Sequence, residues 1–387
     1  MILKKVIDIC KTAVKLLLRI VCFFFFAFRI NDKDIFVNDF NGASFGGNPK
    51  AIADEIHSMN KGFRFFVVTR DNRKSNPPYF FLKRYSFNYF FHLATSKIWI
   101  SSVRMPASTL KRKEQVYIQT WHGAFGFKKV EEEISKALAP TYVIDAKHDS
   151  KLIDFYVSDN SDMTDLFLKR FWYKKGEILK IGSPRNDSLY RAVGLVSSGF
   201  KRKIGLYENK KYVLFAPTLR DDGNLSYLNI DYKMLIDTLA EKYKGQWEVL
   251  LKLHPKIANT GITPLSDSNI VKNVSNGFDV QDLLLAADVL ITDYSSICFD
   301  FAILNRPAFL YVPDIAKYNL ERGFHFSPYE SPFLVAKTEE GLMRNIDDFK
   351  ERDYLKELHE FRQKYDFYSK GNASEIIAKF VLQLMNE

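Results

Sequence analysis

Short apolar runs alternate with amphipathic segments along most of the chain, and this alternation predicts an α/β fold. One set of runs has the length and the branched or aromatic composition of buried strands. These runs span residues 34–40, 63–69, 97–101, 115–119, 152–157, 178–181, 212–216, 247–253, 270–274, 289–292 and 308–311. Apolar residues at helical spacing appear between them, for example at 48–59 and 162–172. Strands that alternate with helices predict parallel sheets covered on both faces, as in Rossmann-like domains.

The length and composition of the chain allow two such domains. It has 387 residues, of which 47% are hydrophobic, so it can bury two sizeable cores. A stretch rich in Gly, Ser and Lys at 192–211 indicates a boundary. We therefore predict Rossmann-like domains at 31–200 and 201–346 that face each other across a cleft. A charged segment with helical spacing at 347–387 is predicted to cross the domain junction.

Residues 1–30 form a segment of different character, with basic residues on one helical face and apolar residues on the other. Lys4, Lys11 and Arg19 belong to the basic face, and the uncharged run 20–28 is too short to cross a bilayer comfortably. The pattern favours an amphipathic helix that lies on an anionic membrane surface. A signal peptide, a spanning helix and a core helix are the alternatives, although no small-residue cleavage site follows the run. Because the segment precedes the first predicted strand, we expect the domains to fold without it.

The net charge of the chain favours anionic partners. It amounts to +10 at pH 7, which attracts nucleotides, phosphate-rich polymers, anionic lipid or nucleic acid. The basic residues are not interleaved with aromatic residues in a recognisable nucleic-acid motif, so no nucleic-acid partner is predicted. The three cysteines, Cys10, Cys22 and Cys298, are too widely spaced for a disulfide framework or a zinc site. Their spacing favours cytosolic exposure of the folded part.

Common catalytic signatures are absent from the sequence. It contains no Walker-type loop, no Gly-x-Gly-x-x-Gly at a helix start, no His-Glu-x-x-His and no nucleophile elbow. No metal-ligand cluster and no bound cofactor are predicted, and a divalent ion carried by a substrate stays open. We therefore expect the chemistry at the ends of the predicted strands, where open α/β sheets bind ligands.

A histidine follows a predicted strand in each half of the chain. His122 stands in the sequence Trp121-His122-Gly123 after the strand at 115–119, and His254 ends another predicted strand before a proline. A histidine with its ordinary pKa near 6.5 is suited to proton transfer at neutral pH. The alternative for each is a strand-end histidine that bonds only to a loop carbonyl. Both would converge on the cleft if the two domains face each other.

Two kinds of strand-end loop are suited to phosphate. Ser295 and Ser296 lie between a buried strand and a helix, where N–H groups, hydroxyls and the helix dipole favour an anion, although a serine there can simply cap the helix. Arg220 and Arg185 lie on Pro-containing loops after strands and can clamp a phosphate with two N–H groups. Either arginine can instead pair with an aspartate next to it. Arg322 follows the last predicted strand and can help to close a donor pocket.

Six short motifs, which follow one another along the chain, resemble those of the bacterial CDP-glycerol glycerophosphotransferases of teichoic acid and capsule synthesis. The resemblance extends from about residue 41 through the tail at 365–374. Two positions depart from the family pattern: Ala124-Phe125-Gly126 follows the Trp-His-Gly, and Ser183 precedes Pro184-Arg185. The motifs are Gln119-Thr120-Trp121-His122-Gly123, Gly182-Ser183-Pro184-Arg185-Asn186-Asp187, Ala216-Pro217-Thr218-Leu219-Arg220, Leu253-His254-Pro255, Ala287-Asp288-Val289-Leu290-Ile291-Thr292-Asp293-Tyr294-Ser295-Ser296 and Glu321-Arg322-Gly323-Phe324.

The resemblance implies a GT-B-like architecture in which the second domain holds the CDP donor. His122 is then the general base, and His254 also belongs to the catalytic machinery. The implied donor is CDP-glycerol, with CDP-ribitol as the alternative. The donor-binding residues implied are Arg220, His254, Asp293, Ser295, Ser296 and Arg322. On the acceptor side, or lining the cleft, the implied residues are Trp121, Gly123, Arg185 and Asp187.

The resemblance further implies transfer of a polyol phosphate to a hydroxyl of an undecaprenyl-linked saccharide or capsular glycan, with release of CMP. The enzyme is then a peripheral protein at the cytoplasmic face of the cell membrane. The nearest rival is a glycosyltransferase of the same architecture, which uses a nucleotide sugar and breaks a carbon–oxygen bond instead of a phosphorus–oxygen bond. A basic, non-catalytic protein that binds nucleic acid or an anionic membrane is the rival from another class.

Overall fold

Two compact units make up the protein, each built around one parallel sheet. The first unit contains the described residues up to 122, together with 130–187 and 368 onward, and the second contains 123–129 and 188–367. The prediction of an α/β fold with two parallel sheets is confirmed. The computed structural model describes residues 14, 17–123, 125–220, 222–254 and 269–386. The predicted features at Lys4, Lys11, Ala124 and Pro255 lie outside these described residues.

The first unit contains a seven-stranded parallel sheet with the order β3-β2-β1-β4-β5-β6-β7. Side chains alternate between its two faces, as the pleat of a strand requires. Ile35 and Val37 of the first strand pack into one apolar cluster, and Phe36 packs into another. Burial on both faces explains the nearly continuous apolar runs in the sequence. The strands are β1 (Asn31–Asn38), β2 (Arg64–Thr69), β3 (Tyr79–Lys83), β4 (Ser96–Ser101), β5 (Val116–Gln119), β6 (Phe155–Ser158) and β7 (Glu177–Lys180).

The second unit contains a six-stranded parallel sheet with the order β10-β9-β8-β11-β12-β13. Its central strand Val289–Thr292 is buried at every position, and the strand Ala308–Tyr311 beside it is buried throughout as well. The strands are β8 (Lys211–Phe215), β9 (Trp247–Leu251), β10 (Val271–Asn273), β11 (Val289–Thr292), β12 (Ala308–Tyr311) and β13 (Leu334–Ala336).

The helices connect the strands, and several of them begin at a polar side chain that accepts a backbone N–H group of the first turn, which is the usual way to cap a helix. Such caps are Ser86, Asn160, Asp231, Asp279 and Thr338. The helices are α1 (Gly47–Met59), α2 (Phe87–Thr95), α3 (Pro140–Leu152), α4 (Ser161–Arg170), α5 (Asp187–Arg191), α6 (Ser198–Lys203), α7 (Tyr232–Tyr243), α8 (Val280–Ala286), α9 (Ile297–Phe301), α10 (Ile315–Arg322), α11 (Glu339–Asp347), α12 (Glu351–Lys364) and α13 (Ala373–Asn386).

The C-terminal segment is helical, as its spacing predicts. Helix α12 belongs to the second unit, whereas α13 belongs to the first. Ile377, Ala378 and Val381 of α13 are fully buried in the same apolar cluster as Ile35 of β1. The last helix is therefore part of the core of the first unit and not a surface tail.

Every predicted strand has a counterpart in the structure, with ends that agree within three residues. The sequence analysis missed β3 and β13, which are edge strands of the two sheets. In β3 only Leu82 is fully buried, and β13 has three residues, of which Ala336 alone is buried. An edge strand has one neighbour and buries fewer side chains, so its apolar pattern is weak.

Residues 17–24 form a helix that packs against the first unit. Cys22 and Phe25 are fully buried there, and the Phe25 ring meets Phe87 edge-on with 4.8 Å between ring centroids. The expectation that the domains fold without residues 1–30 stays a prediction, although removal of Cys22 and Phe25 would open a cavity in the core of the first unit. No helix among the described residues is both long and apolar enough to span a bilayer. The opposite side of the segment exposes apolar side chains, which are Leu17, Ile20, Phe23 and Phe24.

Candidate functional site

The loops after β1, β3, β4 and β5 line a pocket of about 890 Å³ in the first unit. These loops follow the carboxyl ends of parallel strands, where open α/β sheets bind ligands. Trp121 and His122 line the pocket from the loop after β5, and Tyr142 lines it from helix α3. Val14 and Leu18 add an apolar wall from the N-terminal segment. One of the two histidine candidates of the sequence analysis, His122, therefore lines a pocket of the first unit.

The ring of His122 is held in one tautomer. Its Nδ1 lies 2.9 Å from the backbone carbonyl oxygen of Ser102, and because a carbonyl only accepts, Nδ1 carries the proton. Nε2 therefore carries the lone pair that can accept a proton. Burial lowers the pKa of His122 to about 4; the bond to Ser102 opposes this shift and the charge of Arg185 adds to it. The ring is thus neutral at pH 7, which is the form that a general base requires.

Asp39 holds the Ser102 peptide in place. Its Oδ1 accepts a hydrogen bond from the Ser102 hydroxyl at 2.6 Å, and its Oδ2 accepts from the Ser44 hydroxyl at 2.7 Å and the Gly46 N–H at 3.1 Å. Burial raises the pKa of Asp39, although these hydrogen bonds oppose the shift. The sequence analysis missed both Asp39 and Ser102. The available signal was an acidic residue directly after a strand, at the edge of the sheet where ligands bind.

Asn48 connects the histidine loop to the Arg185 loop. Its Nδ2 donates to the carbonyl oxygens of Thr120 and Trp121 at 3.2 and 3.3 Å, and its Oδ1 accepts the N–H of Arg185 at 3.1 Å. The Arg185 Nη1 donates to the carbonyl oxygen of His122 at 2.6 Å. Trp121 has φ of +52°, which is uncommon for an aromatic residue, so these bonds hold a strained backbone beside the histidine. Trp121, His122 and Arg185 therefore form one hydrogen-bonded group.

Asp187 has a structural contact. It is buried, and its two carboxylate oxygens accept the backbone N–H groups of Ala373 and Ser374 at 3.0 and 2.7 Å. These residues begin helix α13, so Asp187 accepts hydrogen bonds from N–H groups that have no acceptor within the helix. Both oxygens of its carboxylate are thus used in this cap, which favours a structural role for Asp187 over contact with the acceptor.

Arg220 lies at the centre of a buried charge network in the second unit. Its Nε and Nη2 donate to Asp314 at 2.6 and 3.0 Å, and its Nη1 donates to Asp293 at 2.8 Å and to the Thr218 carbonyl at 2.7 Å. The guanidinium lies over the ring of Tyr227, 4.3 Å from its centroid. Four of its five N–H groups are thus used within the protein. Although burial opposes it, Arg220 holds the pKa of Asp314 below its usual value.

The network around Arg220 sets the conformation of the loop after β11. Asp293, the first residue of this loop, accepts the backbone N–H groups of Thr218 at 2.9 Å and Tyr294 at 2.5 Å. The Tyr294 hydroxyl donates to Asp314 at 2.9 Å. The partners of Arg220 are therefore distant in sequence, whereas the sequence analysis considered only the aspartates next to it. These contacts favour a positioning role for Arg220 and Asp293.

Ser295 and Ser296 precede helix α9 and are half-buried. The Ser296 side chain makes no capping hydrogen bond, and the Ser295 Oγ accepts the Ile297 N–H only at 3.4 Å. The capping alternative is therefore not supported for Ser296. A Cβ atom placed on Gly123 would lie 3.6 Å from the Ser296 Oγ. Gly123, which belongs to the second unit, and Ser296 are thus close neighbours.

His254 and Arg322 are both exposed. His254 follows β9, and the N–H of the preceding Leu253 donates to the Ser275 Oγ at 2.9 Å, which fixes the end of that strand segment. Arg322 is the last residue of α10.

Within the part of the chain that the structure describes, no group of three or more His, Cys, Asp or Glu side chains is arranged to hold a metal ion.

The fold and the order of these loops match a known family. The model of the CDP-glycerol:poly(glycerophosphate) glycerophosphotransferases matches residues 20–383. This chain belongs to that family. The predicted class, a CDP-glycerol glycerophosphotransferase, is thereby confirmed.

Comparison with individual proteins supports the assignment of the glycerophosphotransferase. It is 28% identical over 369 residues to a teichoic acid poly(glycerol phosphate) polymerase of Bacillus spizizenii, covering 91% of this chain and 92% of that protein. It is 30% identical over 301 residues to a teichoic acid ribitol-phosphate primase of the same species, covering 75% and 76%. A structure of the wall teichoic acid polymerase TagF with CDPG superimposes with a TM-score of 0.79 at 27% identity, covering 92% of this chain and 90% of that one.

Proposed function

We propose that this glycerophosphotransferase moves glycerol phosphate from CDP-glycerol to a hydroxyl of a lipid-linked or capsular glycan, with His122 as the general base. The observation that carries the proposal is the hydrogen bond between His122 Nδ1 and the Ser102 carbonyl, which leaves the lone pair on Nε2 of a histidine that lines a pocket. A histidine that only bonded to a loop carbonyl would not need to line a pocket large enough for a ligand.

In the proposed reaction the acceptor hydroxyl gives its proton to Nε2 of His122. The oxygen attacks the β-phosphorus of CDP-glycerol, the bond from that phosphorus to the bridging oxygen breaks, and CMP leaves with the bonding electrons. Transfer of a phosphoryl group depends on positioning and on stabilisation of charge more than on covalent catalysis. One correctly oriented base and a set of donor-binding groups are therefore sufficient.

We assign the donor to the second unit. Ser295, Ser296, His254 and Arg322 would bind the diphosphate, since hydroxyl, imidazole and guanidinium groups stabilise negative oxygens. The contacts of Arg220 with Asp293 and Asp314 support a positioning role for this arginine instead of a role in binding phosphate. It would hold the loop that carries the serines without contacting phosphate itself.

We assign the acceptor side to the first unit. Trp121 lines the pocket beside His122, and Arg185 bonds to the His122 carbonyl, so both would orient the base and the acceptor hydroxyl. Gly123 belongs to the second unit, and because it has no side chain it would leave room for a substrate near Ser296. The GT-B arrangement of the two sheets belongs to the same proposal.

The membrane location is a further part of the proposal. The exposed apolar side chains Leu17, Ile20, Phe23 and Phe24 favour a segment that lies in the membrane interface. The predicted basic face would add attraction to anionic lipid. The enzyme would then act as a peripheral protein at the cytoplasmic face, on undecaprenyl-linked saccharide or capsular glycan acceptors.

CDP-ribitol is the second candidate donor, because one relative of this chain is named as a ribitol-phosphate primase. A nucleotide sugar is the third, as the substrate of a glycosyltransferase. The test incubates the full chain with lipid-linked saccharide and CDP-glycerol, CDP-ribitol or UDP-glucose, and measures nucleotide release and product mass. Release of CMP with a product heavier by one glycerol phosphate supports the proposal. A product that gains a sugar without phosphate would overturn it.

A further inference from the structure

Three successive residues of the loop after β1 have a left-handed backbone. Their φ angles are +42° at Phe40, +54° at Asn41 and +80° at Gly42. Glycine adopts such angles freely and asparagine tolerates them, but for a bulky aromatic residue they are strained. Strain of this kind persists only where the surrounding structure imposes it, and it is concentrated at functional sites. The strain at Phe40 therefore indicates that the position of its side chain matters for function.

The surroundings of the loop impose this conformation through several contacts. The Phe40 N–H donates to Ser102 Oγ at 3.3 Å, and the Gly42 carbonyl accepts the N–H of Arg70 at 2.9 Å. The Arg70 side chain donates from Nε to the Asn41 carbonyl at 3.1 Å and from Nη2 to the Phe40 carbonyl at 3.4 Å. A Cβ atom on Gly42 would lie 2.7 Å from a backbone carbon of the last residue of β2, so only glycine fits there. The loop is thus fixed by residues that follow β2 and β4.

The loop places the ring of Phe40 against the imidazole of His122. The two ring centroids are 5.2 Å apart, with an angle of 54° between the ring planes. The Trp121 ring lies 4.3 Å from the same imidazole, centroid to centroid. Two aromatic rings from different loops of the first unit therefore pack against the candidate base. A ring that displaces water from an imidazole disfavours its charged form.

Burial does not explain why Phe40 keeps a strained backbone. Its side chain remains 43% exposed, so it gains only part of the free energy that a fully buried phenylalanine contributes. Phe40 is also not part of the pocket lining, to which Asn41 and His122 belong. Phe40 thus contacts the base without lining the pocket to which the acceptor is assigned.

We propose that Phe40 is a positioning residue of the transfer reaction, whose ring shields the imidazole of His122 from water and, together with Ser102, fixes the direction of Nε2. The inference rests on the proposed function and adds to it a residue that acts through His122. In that reaction the acceptor hydroxyl gives its proton to Nε2, its oxygen bonds to the β-phosphorus, and CMP leaves. Phe40 supplies neither a proton nor a charge, and it keeps the base unprotonated and oriented.

The first test compares Phe40→Ala with Phe40→Tyr, which keeps an aromatic ring. The full chain is supplied with CDP-glycerol and lipid-linked saccharide, and kcat/KM is measured from CMP release at pH 5 and pH 8. Without the ring, water reaches the imidazole, so the pKa of His122 should rise toward its ordinary value of about 6.5. The ratio of kcat/KM at pH 8 to that at pH 5 should then increase by roughly 10-fold, because the protonated base is inactive. Phe40→Tyr should keep the wild-type ratio.

The same variants distinguish loss of orientation from loss of donor binding. At pH 8, where the base is unprotonated in every variant, Phe40→Ala should still lower kcat by roughly 10-fold, since a misplaced base is less effective. The KM for CDP-glycerol should stay within a few-fold of wild type, because the donor is assigned to the second unit. Thermal unfolding confirms that Phe40→Ala is folded. A wild-type pH ratio in Phe40→Ala would overturn the inference.

Phe28→Ala is the matched control for removal of a half-exposed ring. Phe28 is 45% exposed and belongs to the same unit, but its ring meets those of Phe25 and Phe91. Its replacement should leave the pH ratio unchanged. An equal increase of the ratio in Phe28→Ala and Phe40→Ala would show a general effect of lost rings and would also overturn the inference.

NMR titration of the imidazole separates the inference from the proposed function. The His122 signal in protein with labelled histidine is assigned by its absence from His122→Gln, so its pKa is measured without turnover. Wild type and Phe40→Tyr should titrate near pH 4, and Phe40→Ala at a higher pH. The same titration in wild type and Phe40→Ala, with normal CMP release, would overturn only the inference. Absence of CMP release from wild type would overturn the transfer reaction and the inference with it.

Discussion

Ser102 and His122 are joined by a hydrogen bond of 2.9 Å from the imidazole Nδ1 to the backbone carbonyl oxygen. This contact decides which ring nitrogen carries the proton, and so which one can receive a proton from a substrate. Asp39 accepts a hydrogen bond from the Ser102 hydroxyl and thereby steadies the same peptide. The candidate base is thus oriented by Asp39 and Ser102, which directly follow β1 and β4, at separations of 83 and 20 residues from it in the sequence.

Replacement of His122 tests its role as the base. His122→Ala is expected to lower kcat by roughly 10²- to 10⁴-fold, because proton transfer contributes about this factor. Affinity for CDP-glycerol should stay within a few-fold of wild type, since we assign the donor to the second unit. Turnover is measured by CMP release and affinity by calorimetry. His122→Ala with near-normal turnover would exclude His122 from the mechanism.

The pH dependence of kcat/KM should reflect the low pKa of His122. The base works only when unprotonated, so with a pKa of about 4 the activity should fall only as the pH drops toward 4. Arg185→Met removes a positive charge that lowers this pKa, so the midpoint should move upward toward the ordinary value of about 6.5. Arg185→Lys keeps the charge and serves as the control. Identical midpoints in Met and Lys variants would show that the charge of Arg185 does not act on the base.

The same pKa predicts a change in stability with pH. Between about pH 4 and 6.5 the folded chain binds fewer protons at His122 than the unfolded chain does, so the free energy of unfolding falls as the pH drops through this window. Denaturant unfolding of wild type and His122→Gln at pH 7 and pH 4.5 is the measurement. Wild type should lose more stability than His122→Gln. An equal loss in the two proteins would contradict the shifted pKa.

Arg220 and Ser296 should behave differently when replaced. Arg220→Met leaves Asp293 and Asp314 without their cation, and breaking such a buried pair costs about 3–5 kcal/mol of unfolding free energy. Ser296→Ala removes a hydroxyl that caps no helix N–H, so stability should change little while CDP-glycerol binds more weakly. Thermal unfolding and calorimetry distinguish the two effects. A stable Arg220→Met protein with weak donor binding would point to a direct contact between Arg220 and phosphate.

Replacement of two neighbouring phenylalanines, Phe25 and Phe24, is expected to affect folding and membrane attachment separately. Phe25 is 1% exposed, so Phe25→Ala should lower the free energy of unfolding by about 3–5 kcal/mol. Phe24 is 65% exposed, and Phe24→Ala should leave stability nearly unchanged while it weakens flotation with anionic liposomes. Unchanged flotation of Phe24→Ala combined with Phe23→Ala would place the membrane contact elsewhere.

The local pattern of the chain determined most of the fold. Buried strands such as β11 and β12 are continuous apolar runs because helices cover both faces of their sheets, and their bounds match the prediction residue by residue. The family could also be read from the chain, since ordered strand-end motifs are local features. The edge strands β3 and β13 were not predicted, because an edge strand buries few side chains and so has only a weak apolar pattern in the sequence.

The roles of polar residues depended on partners that only the tertiary structure brings together. Arg220 pairs with Asp314, 94 residues away, and Asp187 caps a helix that starts 186 residues later. Asn48 bonds to the His122 loop at Thr120 and Trp121, which are 72 and 73 residues away, and Asp39 bonds to Ser102, which is 63 residues away, so no local pattern revealed these partners. The burial of an apolar residue can be predicted from the periodic spacing of apolar residues in the sequence, but a hydrogen bond depends on the position and direction of two groups. Those are set only when the strands are packed side by side.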